Sequence, residues 1–148
     1  MVDMSATLIH HGHIRLLRKA AELGDVVVAL TSDAEVKSKK GYTPELNFAE
    51  RKEILEAVKY VTEVVESPWL ITEDFVNEHH CDLLVHGSDN VNHIDPKRLV
   101  IFPRTEGVSS TELRERVIRA VQSMEKIGKH NSATDALDDL KKTLQHGA

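Results

Sequence analysis

Apolar positions along this chain fall into compact blocks separated by spaced stripes. Val26 to Thr31 (VVVALT) is a short β-branched run of the kind that forms a strand buried on both faces of a parallel sheet. Similar runs at Val61 to Val65, Asp82 to His86 and Arg98 to Phe102 predict further strands. The intervening segments have helical period. Ile14, Leu17, Ala20 and Ala21 share one face ahead of Gly24, a helix stop, and Phe48, Ile54, Leu55 and Val58 form a second stripe. Thr72 caps a third predicted helix that ends near His80 with Phe75 and Val76 turned inward. At the start, Met1 to Met4 leave room for only a very short first strand, unless the chain was cut from a longer protein.

Strands alternating with helices through short connections predict an α/β domain with a parallel sheet and right-handed crossovers. In such sheets ligands sit beyond the carboxyl ends of the strands. The pattern changes near the end, so the reading divides the chain into a domain over residues 1–127 and a tail over 128–148. In the tail, Gly128 to Thr134 (GKHNSAT) reads as a linker, and Leu137, Leu140 and Leu144 recur at helical spacing. That helix is expected to pack on the domain or on a dimer partner, or to lead to a further domain.

Composition narrows the function classes. A chain of 148 residues with 41% hydrophobic residues is enough for one core. The 24 acidic residues exceed the 19 basic ones, and the resulting net charge of -5 gives no electrostatic reason to expect nucleic-acid binding. An anionic ligand must then be held by a local cluster. Cys81 stands alone, no secretory leader pattern opens the chain, and no apolar run approaches the roughly 20 residues of a membrane span. A soluble, cytoplasmic protein with no membrane span is expected.

Two segments carry candidate chemistry. In Ile9-His10-His11-Gly12-His13, the histidines at 10 and 13 can lie on one side of a first helical turn, and Gly12 lets a ligand approach the backbone. Free amides at a helix start favour anions, so two imidazoles beside them suit a phosphate, above all one gaining charge in a transition state. The same spacing also fits surface histidines or a zinc site, although no nearby cysteine or acid completes a zinc shell. In Arg104-Thr105-Glu106-Gly107-Val108-Ser109-Ser110-Thr111, Gly107 permits an unusual backbone angle, the hydroxyls can cap a helix or bind phosphate, and Arg104 presents a fork of donors. A plain capping box, Ser109 with Glu112, is the simpler reading of the same residues, and both can hold.

Together and in this order the two segments resemble the cytidylyltransferase family, which includes glycerol-3-phosphate, phosphocholine and phosphoethanolamine cytidylyltransferases. The family's HxGH motif matches His10, Gly12 and His13, and its RTxGIST motif matches Arg104, Thr105, Gly107, Val108, Ser109 and Ser110. Glu50-Arg51, Lys59-Tyr60-Val61, Glu63-Val64-Val65, Pro68-Trp69 and Gly87-x-Asp89 fall in the expected order between them, so the resemblance spans about Met4 to Val117.

The resemblance implies a Rossmann-like five-stranded parallel sheet with helices on both faces, a homodimer, and in-line attack on the α-phosphorus of a nucleotide with magnesium assisting. CTP and a small phosphorylated alcohol are the implied substrates. His10 and His13 would stabilise the α-phosphoryl group in its transition state, and Arg104, Ser109 and Ser110 would grip the triphosphate together with Gly12, Gly107, Val108 and Thr111. Backbone groups from Gly107 to Ser109 are candidates for reading the base. Family members carry a phosphate-contacting lysine where Lys37, Lys39 and Lys40 precede Gly41; Lys37 takes a catalytic role and Lys39 a substrate-binding one, although spacing does not separate them and a solvated basic turn fits as well. Trp69 matches a family tryptophan near the acceptor or nucleotide, and it also reads as a buried ring. Asp89 would bind a ribose, an acceptor or a metal-bound water. No metal ligands are assigned in the chain, because magnesium would arrive with the nucleotide.

The chain departs from the family at two places. The family reads Gly-Thr-Phe-Asp where this chain has Met4-Ser5-Ala6-Thr7; the backbone of Ser5 and Ala6 would still touch the nucleotide phosphates, but the acid is lost at Thr7. Ser88 and Asn90 stand where a second acid and an aromatic are common. The rival readings are an adenylyltransferase of the same superfamily and a catalytically weak nucleotide-binding module.

Overall fold

A computed structural model describes residues 1–89 and 91–126, with the side chains of 125 and 126 left aside. Asn90 and the expected linker and helix of the tail lie outside the described residues. Five strands, β1 (Val2–Met4), β2 (Val27–Thr31), β3 (Glu63–Ser67), β4 (Leu84–Gly87) and β5 (Leu99–Phe102), form one sheet in the order β3-β2-β1-β4-β5. All neighbours are parallel. The helices are α1 (His11–Ala21), α2 (Asp33–Lys40), α3 (Phe48–Glu56), α4 (Glu73–Glu78) and α5 (Ser110–Lys126).

Strand alternation builds a layer on each face. Val2, Met4, Val28, Leu30, Val64 and Val85 point to one side, where Leu17 and Ala20 of α1 and Leu55 of α3 cover them. Met1, Ala29 and Leu84 point to the other, against Ile71, Val76 of α4 and Ile94. Each such side chain contributes roughly 1.5–3 kcal/mol on burial, which explains how a first strand of only three residues can hold the centre of the sheet. Its start is also tied: the Met1 amino group donates to the Leu83 carbonyl at 2.7 Å, and the Val85 amide donates to the Met1 carbonyl at 2.8 Å.

Several boundaries differ from the sequence reading. The block at Val61 to Val65 becomes a strand only from Glu63, because pairing begins at Val27↔Glu63. Tyr60 and Val61 pack on the core from the preceding turn instead, where the Val61 amide donates to the Val58 carbonyl. Ile54, expected inward, is 40% exposed, since α3 presents Arg51 and Leu55 to the interior. The lysines before Gly41 belong to a helix rather than a turn. Helix α2 buries only Val36, too few apolar positions for a periodic signal, but Ser32 caps its start and Gly41 closes it at φ 77°.

This topology fixes where a ligand can sit. The chain lays β2 and β3 to one side of β1, then crosses to lay β4 and β5 on the other, leaving a crevice at the carboxyl ends of β1 and β4.

Candidate active site

A cavity of about 540 Å³ opens at that crevice. Five cationic side chains line it, Arg15, Arg18, Lys19, Lys40 and Arg104, against two carboxylates, Asp3 and Asp89. A chain of net charge -5 thus concentrates positive charge at one concave site, the local cluster an anionic ligand requires.

His10 and His13 meet beside this cavity, their ring centroids 3.9 Å apart. His10 is the N-cap of α1 in a reciprocal capping box: the Gly12 amide donates to His10 Nδ1 at 3.1 Å, and the His10 amide donates to His13 Nδ1 at 3.2 Å. These bonds correct the expectation of free amides at this helix start, because the Gly12 amide is already taken. They also fix the tautomers. Each Nδ1 accepts, so each neutral ring carries its proton on Nε2, and that proton is what a phosphate can use. Gly12 serves the same geometry. A Cβ there would lie 2.8 Å from His10 Cε1 and 3.3 Å from Val108 Cγ1, so only glycine lets the ring fold over its own helix start. His10 and Gly12 line the cavity, while His13 stands behind His10.

Burial lowers the pKa of both rings, and neighbouring positive charge adds to it; His13 is pushed down to about 3. Between pH 6.5 and that value the unfolded chain binds a proton at residue 13 that the folded chain does not, so stability falls as pH falls through this window. His13→Gln keeps a capping-box residue without a titrating group. Urea unfolding at pH 7.5 and pH 5 is expected to show the wild type losing about 1–2 kcal/mol more than His13→Gln. Equal losses would mean that residue 13 does not remain neutral.

The second segment lies at the end of β5. Arg104 Nη1 donates to Asp89 Oδ2 at 3.0 Å, and both side chains line the cavity with more than half of their surface exposed. Gly87 makes room for Asp89, since a Cβ there would stand 2.9 Å from its Oδ1. Gly107 turns the chain at φ 70°, and buried Val108 then packs over Gly12. Half of the capping box forms: the Glu112 amide donates to Ser109 Oγ at 3.0 Å. Ser110 Oγ exchanges hydrogen bonds with the Leu8 amide and carbonyl, both at 3.2 Å, stitching α5 to the loop ahead of His10. Its hydroxyl is therefore engaged within the chain.

The remaining candidates divide. Ser5, Ala6, Trp69, Asp89 and Lys40 line the cavity; the lining does not include Lys37, Lys39, Gly107, Ser109, Ser110 or Thr111. Lys40 Nζ stands 5.6 Å from the centre of the Trp69 ring, so the lysine that reaches the cavity is the last of the three. Ala6 holds φ at 44°, an angle uncommon for a residue with a Cβ, and it does so almost fully buried. Beside it Arg51 Nη1 donates to the Ser5 carbonyl at 2.6 Å.

Sequence reasoning missed two groups. The first is Asp3, His86 and Asn92. Asp3 Oδ2 accepts from Asn92 Nδ2 at 2.8 Å and from His86 Nε2 at 3.3 Å, and Asp3 and His86 form the cavity floor. Burial alone lowers the His86 pKa, but hydrogen bonds to Asp3 and to the Gly87 carbonyl outweigh it and hold the ring above its ordinary value. The available signal was an acid inside an apolar strand. The second group answers the missing acid at position 7. Thr7 Oγ1 accepts from Arg114 Nη2 at 3.1 Å and lies 3.4 Å from the Tyr42 hydroxyl, while Arg114 pairs with Glu45 and stacks 4.5 Å from the Tyr42 ring centre.

Comparison with known proteins adds the following. The cytidylyltransferase-like family matches residues 5–116. An ethanolamine-phosphate cytidylyltransferase of Dictyostelium discoideum is 38% identical over 129 residues, covering 79% of this chain and 36% of that protein. The glycerol-3-phosphate cytidylyltransferase of Bacillus subtilis is 37% identical over 118 residues, covering 74% of this chain and 89% of the relative. Choline-phosphate cytidylyltransferase A of Mus musculus is 35% identical over 126 residues, covering 76% of this chain and 34% of that protein. The chain thus spans about a third of the ethanolamine-phosphate and choline-phosphate relatives and most of the glycerol-3-phosphate one. A solved lipopolysaccharide core biosynthesis protein from Thermoplasma volcanium shares the fold, with a TM-score of 0.62 at 18% identity over 72% of this chain and 96% of that one.

Proposed function

We propose that this chain, which belongs to the cytidylyltransferase-like family, transfers a cytidylyl group from CTP to a small phosphorylated alcohol and releases pyrophosphate. The observation that carries the reading is the pair of Nε2–H imidazoles at the start of α1, set beside a cationic cavity at the crevice between β1 and β4. In the reaction, an oxygen of the acceptor phosphate attacks the α-phosphorus of CTP in line. A new P–O bond forms, the bond to the bridging oxygen of the β-phosphate breaks, and pyrophosphate leaves. His10 and His13 donate to the α-phosphoryl oxygens as they gain charge, and Arg104 with the amides opening α5 holds the β- and γ-phosphates. No covalent enzyme intermediate is needed, because positioning and charge neutralisation lower the barrier.

Asp89, an exposed carboxylate facing the cavity, fits a nucleotide-borne magnesium, which usually takes only one or two protein carboxylates. Bound there, magnesium would supply charge neutralisation on the triphosphate. The acceptor phosphate is assigned to Lys40 and its head group to Asp3 and Trp69, which line the same cavity. The reading includes a homodimer and a cytoplasmic location; light scattering and fractionation test these.

The direct test is a screen of phosphoethanolamine, glycerol-3-phosphate and phosphocholine with CTP or ATP, scored by pyrophosphate release and product mass. CTP is expected to be used at least about tenfold better than ATP, because a site that pairs its polar groups with one base leaves them unpaired against another. Turnover with ATP alone would make the chain an adenylyltransferase. No release with any pair would leave a nucleotide-binding module.

A further inference from the structure

Thr7, Tyr42, Glu45 and Arg114 do not line the cavity but form a bracket behind it. Arg114 stands one helical turn after Ser110 on the same face of α5, and its side chain is 21% exposed. Its Nε and Nη2 both reach the Glu45 carboxylate, and its guanidinium carbon lies 4.5 Å from the centre of the Tyr42 ring. Nη2 also donates to Thr7 Oγ1 at 3.1 Å. Thr7 is buried, and its Oγ1 stands 3.4 Å from the Tyr42 hydroxyl, which closes the ring of contacts. An isolated surface ion pair contributes little, but a two-pronged guanidinium pair that is stacked on a ring and tied to a buried hydroxyl holds one geometry.

The bracket reaches the chain just beyond Lys40. Tyr42 and Glu45 belong to the segment between α2 and α3, and Lys40 is the last residue of α2. Helix α2 buries only Val36, and Lys37 to Lys40 are exposed, so the turn that carries Lys40 has no buried residue of its own. Its end is held by the Gly41 amide, which donates to the Lys37 carbonyl at 3.0 Å, and by the segment that follows. We propose that Arg114 is the positioning residue for Lys40: by clamping Tyr42 and Glu45 to α5 and to Thr7, it seats the end of α2 so that the Lys40 ammonium stays at the cavity beside Trp69. The proposal rests on the reading that Lys40 serves the acceptor phosphate. Loss of the bracket leaves the loop ahead of His10 in place, because Ser110 Oγ still holds both the amide and the carbonyl of Leu8. The effect therefore falls on Lys40, and a displacement of about 1 Å is enough to cost roughly a hundredfold in rate.

Trp69 is the only tryptophan of the chain, and Lys40 Nζ lies 5.6 Å from its ring centre, so Trp69 fluorescence reports the seat of Lys40 without turnover. Arg114→Met removes the fork and keeps much of the bulk. In the full chain, at a temperature where circular dichroism shows the variant folded, it is expected to shift the Trp69 emission and to lower kcat/KM for the acceptor at least about tenfold, while KM for CTP changes less than about threefold. Adding Arg114→Met to Lys40→Ala is expected to do neither. Emission stays that of Lys40→Ala, and kcat/KM stays within about twofold of it, since a residue that acts through Lys40 has nothing left to position. If Arg114→Met does not fold, Glu45→Gln opens the bracket from its exposed side and is read in its place. Should no acceptor and nucleotide turn over, the proposed reaction falls, and the emission series alone decides the role of Arg114. An emission unchanged by Arg114→Met, or losses that multiply in the double variant, would overturn the proposal.

Discussion

His10→Asn is expected to keep the fold and to lower kcat by a factor on the order of 100 to 1,000, the usual effect of removing one preorganised donor from a developing oxyanion. Asparagine is chosen because it is a preferred N-cap. Its side-chain oxygen can accept the Gly12 amide as His10 Nδ1 does at 3.1 Å, so the start of α1 is retained while the Nε2–H is lost. Alanine would confuse the two roles, since losing a cap costs about 1 kcal/mol by itself. The loss should fall on kcat, with CTP affinity changed by less than about threefold, because an interaction made mainly in the transition state contributes little to ground-state binding. Steady-state kinetics beside calorimetry with CTP separates the two. Equal losses in binding and turnover would make His10 a simple phosphate ligand. Stoichiometric zinc in the wild type, absent from the variant, would establish a metal site instead.

The sequence made some of this architecture legible because the relevant signals are local. The β-branched run at Val26 to Thr31 lies within one residue of β2, and Thr72 caps α4 as its position suggested, its Oγ1 accepting the Phe75 amide at 3.2 Å. The two motifs are contiguous segments too, and each folds largely against itself: His10 with Gly12 and His13, Ser109 with Glu112. Helix α2 escaped notice because its single buried residue, Val36, gives no period, although its caps were present in the sequence. The cavity floor was illegible for a different reason. Asp3 lies more than eighty residues before His86 and Asn92 and meets them only because β4 pairs with β1 after two intervening strands. Likewise, Thr7 in place of an acid reads as a loss in one dimension. In three dimensions it is a hydroxyl joined to Arg114, whose charge is met by Glu45.

Arg51→Met is expected to destabilise the fold by about 3–5 kcal/mol, the cost of breaking a buried charged network, against a total stability of roughly 5–15 kcal/mol for a domain. Arg51 has no exposed surface, and its guanidinium reaches four acceptors on three segments of chain. Nε donates to the Leu46 carbonyl at 3.1 Å, Nη1 to the Ser5 carbonyl at 2.6 Å, and Nη2 to the Thr31 carbonyl at 3.0 Å and to Asp33 Oδ1 at 2.6 Å. Methionine fills most of the volume but donates nothing, so the carbonyls beyond β1 and β2 lose their partner inside the protein. Lysine keeps the charge without the planar fork, so Arg51→Lys should fall between the two. Urea unfolding measures both, and a loss below about 1 kcal/mol for Arg51→Met would show that these carbonyls find other donors. The same bond to Ser5 braces the turn in which Ala6 holds φ at 44°, on the wall of the cavity. Activity per folded molecule should therefore drop in Arg51→Met even at a temperature where the variant is fully native. A variant that is less stable but turns over normally would confine Arg51 to the core and detach it from the shape of the site.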